Sequence, residues 1–282
     1  HYGAATMTSM LPTLSEGFAN TSLRGNYAVT CIGQGGHTQC AFIGVWNFDG
    51  NGGFTGSLVI NQPGSRFTER AVVNATMTGT YQVDQNGSGY GSMAVACALA
   101  DGSRQEITAT LLITKAETVN GIPLAQEISF MQDPADPVTG NLNMILAFRH
   151  PDEGEFSLAS FKGTYGGPGI ARGSFTPAAA IGIGAVNFDG EGGFTAVDIQ
   201  NLAGAGFAER RNASFDTPDG RYVVNKDGTG MIIAPSGQAN LVIVKAKVVD
   251  NVRVALEHFA ITHDLHPPTG TLVTTTVSKR MQ

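Results

Sequence analysis

Residues 47–55 read NFDGNGGFT, and residues 187–195 read NFDGEGGFT, so one nine-residue stretch occurs twice at an offset of 140 residues. The two copies differ only at Asn51 and Glu191. The correspondence continues at the same offset, for example through Asn61 and Asn201. A match of this length at a fixed offset indicates an internal repeat. We therefore predict that one structural unit has been duplicated.

The duplication divides the chain into four segments. Residues 1–17 have no counterpart in the second copy and form an expected N-terminal arm, and residues 18–150 form the first repeat. Residues 151–156 are a polar, turn-prone linker, and residues 157–282 form the second repeat. Each repeat falls within the ~100–200 residues typical of a domain. We expect two domains of similar structure.

Both repeats show short strands joined by tight turns. Val252, Val254 and Leu256 alternate with polar residues, as in a strand with one buried face. Pairs such as Asp49-Gly50 and Asn86-Gly87 favour tight hairpin turns. About eight strands can close an antiparallel sheet on itself and remove its exposed edges. The sequence predicts an all-β fold of two tandem, antiparallel up-and-down barrels of about eight strands each.

The segments that follow the shared nine-residue stretch are also similar to each other. Residues 79–89 read GTYQVDQNGSG and residues 220–230 read GRYVVNKDGTG. With Phe-Asp-Gly-x-Gly-Gly-Phe before them, they resemble a repeat of secreted bacterial barrel proteins, similar in plan to lipocalin-like and allene-oxide-cyclase-like barrels. The resemblance covers both repeats and implies a barrel fold. Because it rests on turn residues, it implies no catalytic residue.

Composition excludes two classes of partner. The net charge is -6, and no Lys/Arg cluster is present to replace counterions on a phosphate backbone, so nucleic acid is not expected. No run reaches the ~18–20 apolar residues of a transmembrane helix, so no membrane span is expected.

The chain begins at His1 and not at Met, as a secreted protein does after signal-peptide removal. We expect an extracellular or periplasmic protein.

The first repeat contains all three cysteines. Cys31 and Cys40 flank a glycine-rich segment, which predicts a disulfide across a loop and leaves Cys97 over. The alternative is three buried thiols in a reduced protein. The second repeat has no cysteine, so the shared fold does not depend on a bridge.

Two sets of paired polar residues occur in both repeats. Asp49 and Asn51, with Asp189 and Glu191 in the second copy, could suit calcium. They supply fewer than the six or more oxygen ligands that calcium takes, so a hairpin turn is the preferred interpretation.

The Glu-Arg pairs at positions 69–70 and 209–210 cannot converge on one substrate atom, because adjacent strand residues point to opposite faces. They predict ion pairs at a barrel rim. Glu127 and Glu257 also align, and their strand phase points them toward solvent. We therefore assign neither carboxylate as a general base.

The second repeat carries three nearby histidines, His258, His263 and His266. The first repeat has Ile128 and Asp136 in place of the outer two, so the shared fold does not need a histidine site. Either the second barrel acquired a function, or His258 is a core residue with a hydrogen-bond partner. We favour the core interpretation and expect no metal and no cofactor.

The arm provides the leading hypothesis for function, and its assembly residues are expected to be His1, Tyr2, Met7, Met10 and Leu11. An arm without an equivalent in the second repeat can dock on a neighbouring subunit, for example by adding a strand to its sheet. The expected protein is a non-catalytic, secreted structural protein that self-assembles into oligomers or fibres. No catalytic motif of a hydrolase or nucleotide-binding enzyme is present.

Two alternatives remain open at this point. A barrel of about eight strands can hold one small apolar ligand, and Phe42, Trp46, Phe130 and Met131 could line such a cavity in a lipocalin-like carrier. These side chains could equally fill the interior and leave no cavity. A barrel isomerase or cyclase that uses few polar groups is the third hypothesis.

Overall fold

The structure is a computed structural model, and it describes residues 17–34, 40–63, 70–133, 142–173, 179–203, 210–235, 237–262 and 272–281. These residues form two closed antiparallel barrels of eight strands each. The predicted fold class, a duplicated all-β unit closed into two barrels, is confirmed. Residues 1–16 of the expected N-terminal arm lie outside the described residues.

Each strand of barrel 1 pairs with the next along the chain, and β8 closes on β1. The strands are β1 Arg24–Gln34, β2 Ala41–Asp49, β3 Gly53–Pro63, β4 Arg70–Val83, β5 Tyr90–Leu99, β6 Arg104–Val119, β7 Ile122–Gln132 and β8 Leu142–Arg149. A 3-10 turn, Asn20–Ser22, precedes β1.

Barrel 2 repeats this order and closes through the pairing of β16 with β9. Its strands are β9 Lys162–Gly173, β10 Ala179–Asp189, β11 Gly193–Ala203, β12 Arg210–Val224, β13 Thr229–Ala234, β14 Gly237–Val249, β15 Val252–Thr262 and β16 Leu272–Arg280. A 3-10 turn, Leu158–Ser160, precedes β9. The β13–β14 hairpin is shorter than its counterpart β5–β6, so the offset between equivalent residues falls from 140 to 130 beyond it, as between Val119 and Val249.

The Gly-x-Tyr motif of each repeat anchors the 3-10 turn. The Tyr81 hydroxyl donates to the carbonyls of Asn20, at 3.1 Å, and Leu23, at 2.9 Å. Tyr222 makes the equivalent pair of bonds in barrel 2. A Cβ at Gly79 would lie 2.5 Å from the Phe54 ring, so this position has no room for a side chain. The motif is a structural one in both barrels.

The interior of barrel 1 is filled by aromatic side chains from opposite walls. The Trp46 ring lies 5.3 Å from the Phe54 ring and 5.6 Å from the Phe130 ring, measured between centroids. The Tyr27 hydroxyl crosses the barrel and donates to the Ala125 carbonyl at 2.8 Å. Edge and tilted ring contacts of this kind stabilise a core beyond the area they bury. Barrel 1 therefore has a packed interior.

The two barrels contact each other through the outer surfaces of their sheets. Face A of barrel 1 is the outer surface of β1, β2 and β3, and face B of barrel 2 is the outer surface of β14 and β15. Together they form one buried apolar cluster, and Val59, Phe148 and Val277 pack against it. The members of the cluster are Ala28, Ala41, Ile43, Val45, Val242, Val244, Phe259 and Ile261.

Polar contacts reinforce this junction. The buried Asn61 side chain of barrel 1 donates to the Thr262 carbonyl of barrel 2 at 2.6 Å. In the linker, the Arg253 guanidinium donates to the Glu153 carbonyl at 2.9 Å and lies over the Phe156 ring. These contacts fix the position of one barrel against the other.

Candidate functional site

Three of the four residues expected to line a cavity lie inside barrel 1. Phe42, Trp46 and Phe130 are all buried in its core. Met131 is 60 % exposed, because it follows Phe130 on β7 and adjacent strand residues point to opposite faces. Met131 therefore lies on the outer surface of the barrel, contrary to its expected place in the interior.

The buried tyrosines cannot serve as acids or bases near neutral pH. Burial raises the pKa of Tyr27 well above its usual range and that of Tyr165 to about 12. Each hydroxyl donates to a backbone carbonyl across its own barrel, Tyr27 to Ala125 and Tyr165 to Ala255, both at 2.8 Å. These hydroxyls hold β1 against β7 and β9 against β15.

His258 is a core residue of barrel 2. It is buried between the rings of Phe161, Tyr165 and Phe188, and burial lowers its pKa from 6.5 to about 4, so it is neutral at pH 7. Its Nδ1 has no hydrogen-bond partner among the described residues. His263 and His266 lie outside the described residues.

Sequence reasoning missed His150, which links the two barrels. Its Nε2 donates to the Ile243 carbonyl of barrel 2 at 2.6 Å, and its ring packs against Phe156. Burial lowers its pKa to about 4. The sequence gives little signal for this contact, because His150 stands directly before the polar linker. It is a structural residue of the junction.

The repeated aspartates are occupied by their own turns. Asp49 Oδ1 accepts hydrogen bonds from the backbone nitrogens of Asn51, at 2.7 Å, and Gly53, at 2.9 Å. Asp189 makes the same bonds in barrel 2, and these bonds lower the pKa of both carboxyl groups. No cluster of three or more potential metal ligands occurs among the described residues. The hairpin-turn interpretation accounts for these residues.

The aligned carboxylates Glu127 and Glu257 meet at the junction between the barrels. Lys245 lies 3.2 Å from Glu127 Oε1 and 3.6 Å from Glu257 Oε2, and its ammonium lies over the Phe148 ring. Both carboxylates were expected to point to solvent, but their side chains are only 31 % and 14 % exposed. Nothing in the local sequence pattern indicates that a second barrel covers this surface.

No disulfide joins Cys31 to Cys40, contrary to the predicted bridge. Cys31 is buried opposite Phe42 in the β1–β2 ladder, so Cys40 is displaced from it by two positions. Burial raises the pKa of the Cys31 and Cys97 thiols, which makes them unreactive. The Cys40 thiol lies 3.6 Å from Asn143 Oδ1.

An apolar surface is exposed on barrel 2. It is the outer surface of β9, β10 and β11, which we call face A of barrel 2, and its large aliphatic side chains are 38 % to 67 % exposed: Ile170, Ile181, Ile183, Val197 and Ile199. Single exposed aliphatic residues are ordinary, but a contiguous group on neighbouring strands is typical of an interaction surface.

A cleft of about 600 Å³ lies between the barrels. Its walls include Val59 and Leu99 of barrel 1 and Val223 and Met231 of barrel 2, with Asn74 among its polar groups. A cleft of this size and composition is in the range of small-ligand sites. It is the second candidate site.

Several expected features fall outside the described residues. They include the arm residues His1, Tyr2, Met7, Met10 and Leu11, together with Glu69 and Glu209 of the repeated Glu-Arg pairs.

No protein-family model matches this chain, and no curated protein matches it at a significant level. In the described part of the chain, no helix has both the length and the apolar content that a membrane-crossing helix requires.

Proposed function

We propose that this chain is a non-catalytic, secreted structural protein that associates with copies of itself. The observation that carries the proposal is face A of barrel 2, where Ile181, Ile183, Val197 and Ile199 are each more than half exposed on two paired strands. Burial of such a surface stabilises a complex by ~25 cal/mol per Å² of apolar area removed from water. A second protein surface is the simplest way to cover it.

The state of the titratable groups supports a structural function. Tyr27, Tyr165 and His150 bond to backbone carbonyls, His258 lies among aromatic rings, and Asp49 accepts from its own turn. Each of these groups stabilises the fold. This use of side chains is what we expect in a building block.

The N-terminal arm is the second part of the proposal. Residues 1–17 have no equivalent in the second repeat, and they contain Met7, Met10 and Leu11 as apolar anchors. In the proposed assembly the arm docks on a neighbouring subunit and adds to the contact made by barrel 2. Face A of barrel 2 makes the main contact between subunits, and the arm strengthens it.

Sedimentation of the intact chain over a wide concentration range tests the proposal. We expect species heavier than the 29.4 kDa monomer, with a population that grows with concentration. A variant lacking residues 2–14 should associate more weakly and retain the same fold by circular dichroism. A strict monomer at every concentration, with or without the arm, would contradict the proposal.

The cleft between the barrels supports one alternative, a carrier of a small apolar ligand. Its aliphatic walls would suit the body of such a ligand, and polar side chains such as Asn74, Asn225 and Asp227 would orient a polar end. Native mass spectrometry of protein purified from its source should then show a retained small molecule. Met231→Trp, which places a large ring in the cleft, should release it, whereas a retained molecule in this variant would exclude the cleft as its site.

A further inference from the structure

The contact between the two barrels joins two different surfaces. Barrel 1 contributes face A, and barrel 2 contributes face B. Because the barrels are copies of one unit, each carries both surfaces: barrel 2 has its own face A on β9–β11, and barrel 1 has its own face B on β6–β8. Within the chain, barrel 1 uses face A and barrel 2 uses face B. Face A of barrel 2 stays exposed, and face B of barrel 1 stays exposed around Met131 and Met144, although Glu127 and Phe148 beside it contact barrel 2.

The exposed face A is more apolar than the covered one. At the offset of 140 residues, the covered residues Ala41 and Val59 correspond to Ile181 and Ile199, which are 59 % and 51 % exposed, whereas the covered Val45 corresponds to the smaller Ala185. Ile43 corresponds to Ile183. A surface that stays in water is expected to have polar residues at such positions. Larger aliphatic residues at these sites favour a covered surface.

The exposed face B of barrel 1 carries apolar residues at two of the four matching positions, and Thr114 and Ser129 stand at the positions of Val244 and Phe259. At the offset of 130 residues, Val242 corresponds to Leu112 and Ile261 corresponds to Met131. Met131 pairs with Met144 on β8, and both are about 60 % exposed. Methionine adapts its shape readily and is frequent at surfaces that bind other proteins. This surface can receive a face A.

The polar contacts of the junction also have equivalents on the exposed surfaces. Asn61, which donates to the Thr262 carbonyl, corresponds to Asn201, and Thr262 corresponds to Gln132.

The ion pair between Lys245 of barrel 2 and Glu127 of barrel 1 is not repeated between copies. Its equivalent would join Lys115 of one copy to Glu257 of another, but Glu257 already bonds to Lys245 within its own chain and is only 14 % exposed. The register shift beside each lysine is the same in the two barrels, so these side chains lie at equivalent places.

We propose that face A of barrel 2 binds face B of barrel 1 in a second copy of this chain, so that the contact within the chain is repeated between chains. This inference rests on the proposed self-association and names the surfaces that carry it. Such a contact is heterologous, since it joins two different surfaces, and it leaves one of each at the ends of every oligomer. Heterologous contacts produce rings or open fibres.

Several positions differ between the two contacts, and one of them changes the charge balance. Phe148, which lies under the Lys245 ammonium within the chain, corresponds to Lys279 in barrel 2. The contact between copies therefore lacks this cation–π interaction and places a second cation near Lys115. We expect it to be weaker than the junction within the chain, and to strengthen when salt screens the like charges.

Two single variants test the proposal in combination. Ile183→Lys disables face A of barrel 2, and Met131→Lys disables face B of barrel 1. Both side chains are at least 60 % exposed, so neither change disturbs a core. Each variant alone should associate at least about tenfold more weakly than the original chain, as expected for loss of a central apolar contact.

Mixing the two variants supplies the decisive measurement. The intact face A of the Met131→Lys chain can bind the intact face B of the Ile183→Lys chain, and growth then stops. Sedimentation of an equimolar mixture should show a 1:1 dimer, twice the 29.4 kDa chain mass, and nothing larger. If face A binds another face A, the Met131→Lys chain dimerises on its own; if a lipid surface or another protein covers face A, the mixture stays monomeric. Either result overturns the proposal.

Ile233→Lys is the matched control, since Ile233 is an exposed aliphatic residue on β13, a strand that belongs to neither face. It should assemble as the original chain does. Full assembly of the Ile183→Lys or Met131→Lys chain alone would overturn the face pairing and leave self-association standing. An original chain that is monomeric at every concentration overturns both.

Discussion

The two barrels have the same strand order but place their large side chains differently. Inside barrel 1 are Trp46 and Phe130; at the equivalent positions barrel 2 has Val186 and Ala260. Removal of two large side chains from a core lowers the area that folding buries. Barrel 1 is therefore the more heavily packed of the two.

The outer surfaces show the opposite trend. Barrel 1 has Ala41 and Val59 where barrel 2 has Ile181 and Ile199, and only the surface of barrel 1 is covered within the chain. After duplication, the large aromatic core and the exposed apolar surface are found in different copies of the unit. The first barrel carries the dense core, and the second carries the apolar surface.

The largest expected effect comes from the aromatic core. Trp46→Ala should lower the free energy of unfolding by about 3–5 kcal/mol, because it removes a fully buried ring and leaves a cavity. The matched change Val186→Ala should cost about 2 kcal/mol or less, at ~0.8 kcal/mol for each buried methyl group. Urea denaturation followed by circular dichroism measures both, since Trp46→Ala removes the only tryptophan of the chain. Equal losses would show that the two cores are packed alike.

Burial of the neutral His258 side chain predicts that the protein loses stability in acid. Because its folded pKa is about 4 against 6.5 unfolded, the unfolded state binds more protons between these values, and stability falls as pH drops from about 6.5 toward 4. The full effect is roughly 3 kcal/mol, at 1.36 kcal/mol per pH unit.

His258→Ile, which installs the residue of barrel 1, should flatten this part of the stability–pH curve in urea titrations. His150 has a pKa lowered in the same direction, so about half of the slope should remain. An unchanged slope would mean that His258 is protonated in the folded barrel.

The smallest expected effect compares two equivalent asparagines. Asn61→Ala should lower the free energy of unfolding by about 1–2 kcal/mol, because the buried side chain donates across the junction to the Thr262 carbonyl. Asn201→Ala removes a bond to Asn212 on the surface and should change it by less than about 0.5 kcal/mol. Thermal unfolding at low protein concentration separates these values. A large effect at Asn201 alone would reverse the assignment of covered and exposed faces.

Much of the fold could be predicted from short-range patterns. The Asp-Gly turns and the alternation along strands such as β15 depend on residues close in sequence, so they specify barrels without tertiary knowledge. The Gly-x-Tyr motif marked both barrels in the same way, although its bonds to the 3-10 turn became clear only in the structure.

The junction could not be predicted in the same way. Whether Ile43 or Ile183 is covered depends on which surface the other barrel occupies, and both stand in the same local pattern. Glu127 was placed in solvent for this reason, because strand phase distinguishes the inside of a barrel from its outside and nothing more. His150 was missed because its partner lies 93 residues away.

The covered face of barrel 1 also has a consequence during synthesis. Barrel 1 can close once β8 has left the ribosome at Arg149, but β14 and β15, which cover its face A, end only at Val249 and Thr262. At ~5–20 residues per second, this face is exposed for roughly 5–20 s on each nascent chain. Neighbouring nascent chains on one message could then pair wrongly, barrel 1 of one with barrel 2 of another. The short linker counters this exchange by keeping the correct partner at high local concentration.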